Sequence, residues 1–135
     1  MQIMLDFNRT MLLLPLHWRI WVGLLVVLNF LTPIFFITIA EGQVVLGTGM
    51  VAIVIQLIIF SRLGFVRLLG LSHAPWIWLV YWLWGRLDTA EAGGALSYWL
   101  SALIAINCAS LLIDVVNVLR FIRGERAPTL SLGTP

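Results

Sequence analysis

Residues 95–119 read ALSYWLSALIAINCASLLIDVVNVL, a run in which Asp114 is the single charged side chain. Coiled into an α-helix it is about 37 Å long, more than the roughly 30 Å of a bilayer's hydrocarbon core. A helix apolar around nearly its whole circumference has no water-facing side, so the run predicts a membrane span. Its polar residues are ordered all the same. Asn107, Ser110, Asp114 and Asn117 fall at i, i+3, i+7 and i+10, one stripe along the helix. A carboxylate at such depth is costly and faces protein or water. The stripe therefore predicts a helix at the packed centre of a bundle, with its polar groups joining it to other helices. A proton or ion relay through Asp114 is the competing reading. A second stripe of small residues, Ser101, Ala105 and Ala109, predicts close approach of another helix.

Working outward, three more apolar segments precede this one, over about Ile20–Ala40, Val44–Phe60 and Leu68–Trp84. The whole chain of 135 residues is 61% hydrophobic and 10% charged, with mean hydropathy +1.04, which excludes a water-soluble globule. In hydrocarbon each backbone group needs an internal partner, and the alternation of a membrane β-barrel is absent. The expected fold is all-α, a membrane-embedded bundle of four transmembrane helices spanning residues 17–120. Residues 1–16 are expected as an interfacial segment. A signal peptide is disfavoured there, because Pro15, His17 and Arg19 interrupt the short apolar run. Residues 121–135, ending in Pro, Thr, Ser and Gly, are expected as a cytoplasmic tail.

Arginine sets the orientation. Arg9, Arg19, Arg62, Arg67, Arg120, Arg123 and Arg126 fall at the two ends and between segments two and three; Arg86 falls opposite, beside Asp88 and Glu91. By the positive-inside rule both termini are cytoplasmic, as in a multi-pass protein of the bacterial inner membrane. The net charge of +2 and pI near 9.3 thus bear on topology, and nucleic acid is not an expected partner.

A depth argument singles out three residues. Asp114 precedes Arg120 by six positions, Gln56 precedes Arg62 by six, and His73 follows Arg67 by six. If each arginine marks the boundary, the three lie roughly 9 Å inward, one polar layer from three helices. Asp114 paired with His73 would offset the cost of burying either, with Arg67 as competing partner. Haem is disfavoured, since the other histidine, His17, lies outside the first span. The lone Cys108 offers neither a disulfide nor a metal set. No metal and no cofactor are expected from this chain alone.

Pro33 and Pro75 interrupt two of the segments. Pro33 frees the Asn29 carbonyl, which Asn29 and Thr32 side chains could help compensate. At Pro75 the third helix either kinks or begins there, with Ser72 as N-cap. Of seven tryptophans, Trp78 and Trp82 share one deep face and form a candidate aromatic contact surface for lipid, a partner, a quinone or a pigment. Gly47, Thr48 and Gly49 read as a packing patch. No nucleophile set, paired carboxylates or phosphate loop is present, so an enzyme is not expected.

Two stretches, LSHAPWIWLVYWLWGRL at 71–87 and LIDVVNVLRFIRGERA at 112–127, resemble the C-terminal half of small bacterial inner-membrane proteins with four helices. The resemblance implies topology and assigns no site residue. The function expected is non-catalytic: an accessory or stabilising subunit of a larger inner-membrane complex, respiratory or photosynthetic, with other membrane subunits as partners. The alternatives are a small oligomeric proton- or ion-coupled transporter, and a subunit contacting quinone, haem or pigment.

Overall fold

The computed structural model describes residues 1–129. Among them the elements are all helical: α1 (Gln2–Met11), α2 (Leu16–Val26), α3 (Thr32–Phe35), α4 (Ala40–Leu63), α5 (Pro75–Leu87) and α6 (Ala95–Ile122). A π turn over Val27–Leu31 joins α2 to α3, and a 3-10 turn over Arg67–His73 precedes α5. Three stretches are long and apolar enough to cross a membrane: Leu16–Phe35, Ala40–Leu63 and Ala95–Ile122.

The segment expected as a continuous helix over 68–84 is instead broken. Pro75 has no N–H to give the Leu71 carbonyl, and that carbonyl accepts from Ala74 N at 3.1 Å in a tighter turn. α5 then starts with Pro75 in its first turn. The cap, however, is Ala74 and not Ser72, whose hydroxyl is buried without a partner. Pro33 is handled differently. The π turn before it widens the helix, and Thr32 Oγ1 donates to the Val27 carbonyl at 2.9 Å, so the Leu16–Phe35 stretch continues through the proline.

Two glycines allow the first hairpin to close. A Cβ at Gly42 would collide with the Phe36 carbonyl, and one at Gly49 would stand 2.9 Å from the Phe30 ring. The core lies in the half of the bundle nearest Arg86, where Val45 of α4, Leu79 and Leu83 of α5, and Leu100 and Leu103 of α6 are fully enclosed. Trp99 seals its side, stacked on Phe36 at 4.7 Å with its indole N–H donating to the Leu28 carbonyl at 3.1 Å. The small-residue stripe of α6 does not pack inside, since Ser101 and Ala105 are exposed.

Both ends of the described chain meet at the link after α4. The Phe7 ring of α1 lies edge-on to Phe60 at 5.2 Å and against Phe65 at 6.2 Å. Thr129 N and Oγ1 donate to the Phe65 carbonyl at 2.8 and 3.0 Å. The expected tail thus folds back through residue 129, and its positions 130–135 lie outside the described residues.

Candidate functional site

The α6 stripe finds its partners one by one. Asn107, fully buried, exchanges two hydrogen bonds of 3.0 Å with Asn29, which also donates to the Leu25 carbonyl at 3.1 Å. The π turn positions Asn29 for this exchange. One α-turn further along, Ser110 is buried beside a cavity. Next, Asp114 Oδ2 lies 2.8 Å from His73 Nδ1, the pairing expected from the depth argument. Asn117 accepts from Arg67 Nη1 at 3.4 Å.

The break before Pro75 is what brings His73 to α6. The 3-10 turn lies along α6, and Gly70 touches it at Asp114: a Cβ there would stand 2.9 Å from Asp114 Cβ and Oδ1. Arg67, the competing partner for Asp114, turns the other way. Its Nε is 3.1 Å from Glu125 Oε2, which Arg120 Nη2 also approaches at 2.7 Å. The Arg120 guanidinium, hydrogen-bonded to Glu125 and joined by Arg67, holds that carboxyl below the usual glutamate range.

Gln56 lines the same space as His73. Two adjoining cavities, of about 370 and 290 Å³, share Met11, Val22, Leu25, Gln56 and His73 in their walls. The smaller is also lined by Arg67, Ser110, Asp114 and Asn117, the larger by Trp76, Phe30 and residues of α1. His73 stacks on Trp76 at 4.2 Å, and the indole Nε1 of Trp76 is buried without an acceptor. Among the described residues no hydroxyl bonds to His73, and no three His, Cys, Asp or Glu side chains group as metal ligands.

At the opposite end Glu41 and Arg86 form an ion pair of 2.7 Å, with the Glu41 side chain only 6% exposed. Sequence reasoning placed both residues on that side without joining them. The signal available was a lone acid opening one apolar helix and a lone arginine closing another. Arg86 also lies over the Trp82 ring at 5.4 Å, and Trp82 stacks on Trp78 at 6.1 Å. Trp78 is exposed, as are Tyr81, Trp84 and Tyr98, so the aromatic face of α5 and early α6 is uncovered by this chain.

No protein-family model, curated protein or solved structure matches the chain.

Proposed function

We propose that this chain is a non-catalytic, multi-pass subunit that packs into a larger assembly of the bacterial inner membrane. The observation that carries the proposal is the use made of the intramembrane polar groups. Asn29 with Asn107, His73 with Asp114 and Arg67 with Asn117 tie one element to another, the role of interhelical glue. The enclosed leucines Leu79, Leu83, Leu100 and Leu103 are not among the residues that line the cavities beside those pairs. A transporter would need that core to open. The uncovered aromatic face, with Tyr81 81% and Trp84 67% exposed, supplies a surface for neighbouring subunits.

Four crossings with both ends cytoplasmic fit the same picture. Residues 67–87 make the fourth crossing in two pieces, about 14 Å of 3-10 turn and about 20 Å of α5. α1 lies in the interface on the arginine-rich side. Mild-detergent or nanodisc purification of the tagged native chain, followed by mass spectrometry, tests the proposal. A stoichiometric set of other membrane subunits is the expected result; a chain that emerges alone or only with copies of itself overturns it.

A further inference from the structure

The half of the bundle nearest the arginine-rich end is left unfilled. The backbone of α2 stands away from those of α4 and α6, although its Leu25 and Trp21 side chains reach the core. The 370 Å³ cavity occupies the gap between α2 and α4, with α1 across one end and His73 and Trp76 on the inner wall. Its volume falls within the usual range for sites that hold a small organic molecule.

We propose that this cavity binds the head of a lipid-soluble quinone, a neutral ring carbonyl, with Trp76, His73 and Gln56 as its polar contacts. Three of the residues that line it have unused hydrogen-bonding capacity. The Trp76 N–H has no acceptor, although the residue is only 2% exposed. His73 spends Nδ1 on Asp114, and no bond to its other nitrogen occurs among the described residues. The Gln56 amide makes no side-chain bond among them either, and it carries two N–H donors. A buried donor left without a partner is a cost that a ligand oxygen removes.

Charge selects the kind of oxygen. No arginine and no carboxylate lines the larger cavity, and its one titratable side chain, His73, is already matched by Asp114. A carboxylate or phosphate head would gain no cation there and would approach Asp114; a cationic head would find no unpaired acid. A carbonyl meets neither objection. Shape selects a ring: the stacked His73–Trp76 pair, Phe7 and Phe30 place four aromatic side chains around the cavity. Exposed Met4 and Val26 border the cavity, so an alkyl or isoprenoid tail has a way out to lipid. The proposal concerns binding and needs no electron transfer. It is independent of the subunit proposal above, whose test is co-purification.

The test uses the full chain in nanodiscs and a decyl-substituted benzoquinone, with bound probe measured against empty nanodiscs. Saturable binding is expected. Trp76→Phe, which keeps a ring and removes the N–H, is expected to weaken it about threefold to tenfold. Ile53→Trp, which fills the cavity from α4, is expected to abolish it. An azido derivative of the probe, photolysed on the unmodified chain, is expected to label α1, residues 22–30, α4 or residues 71–78, and this arm stands even where a variant misfolds. Binding no greater than partition into empty discs overturns the proposal. So does labelling elsewhere, retention of full affinity by both folded variants, or equal competition by dodecanoate, which would make the site one for a carboxylate.

Discussion

Asp114 depends on a neighbour that has no side chain. At Gly70 an added Cβ would stand 2.9 Å from Asp114 Cβ and 3.0 Å from its Cα, so the obstacle includes backbone that cannot rotate aside. Gly70→Ala is therefore expected to push the 3-10 turn off α6 and cost about 1–3 kcal/mol, read as a lower midpoint in detergent unfolding. An unchanged midpoint would mean that the turn and α6 are not held together there. The His73–Asp114 pair has a signature of its own. With side-chain exposures of 18% and 14%, each partner shields the other, and removing one strands a charge or a donor in a poorly solvated place. Asp114→Leu or His73→Leu alone is expected to cost about 3–5 kcal/mol, whereas the double variant loses less than the worse single one. A double variant as unstable as the sum of the singles would show that the two groups act separately.

Among the elements, the three long spans were legible because hydropathy over some twenty residues is a collective signal that no single position can spoil. The polar stripe of α6 was legible for a related reason, since helical spacing alone puts four side chains on one face. The 3-10 turn was only half legible. Pro75 announces an interruption, but Leu68, Leu69 and Leu71 are as apolar in a 3-10 turn as in an α-helix. A contact between distant elements such as Gly70 with Asp114 leaves no local trace in composition. Nor did the clamp at the end of α6, where Glu125 joins Arg67 and Arg120 and Thr129 bonds to Phe65. That clamp should respond to acid. The folded carboxyl titrates below its unfolded value, so its contribution is complete above the ordinary glutamate range and lost as pH falls through the lower, folded pKa. A lower protection factor at Thr129 N, its exchange rate taken relative to that of an unstructured amide at the same pH, is expected once pH falls below the ordinary glutamate range, with Glu125→Gln showing that low protection already at neutral pH. Protection at Thr129 that ignores both acid and the substitution would separate its bond from the ion cluster.

For the whole molecule the deciding property is the parity of its crossings. Three spans of membrane length would leave the two ends on opposite faces of a bilayer. Yet Phe7 near the start and Thr129 near the end both contact Phe65, so they lie at one end of the bundle. The fourth crossing proposed above, by the segment from Arg67 to Leu87, would reconcile the two facts. Its pieces are short individually. The Glu41–Arg86 pair nevertheless places the far end of α5 beside the start of α4, the end opposite Phe60 and Phe65. A cysteine introduced at Asp88 or Gly93, with Cys108 replaced by Ala, should accordingly react with a membrane-impermeant maleimide from outside intact inner-membrane-exposed cells. Cysteines introduced at Gln2 or Arg126 should react only after the membrane is opened. If a cysteine at Arg126 is labelled from outside while one at Gln2 is not, the chain crosses an odd number of times, and the contacts that gather both ends at Phe65 do not exist in the membrane.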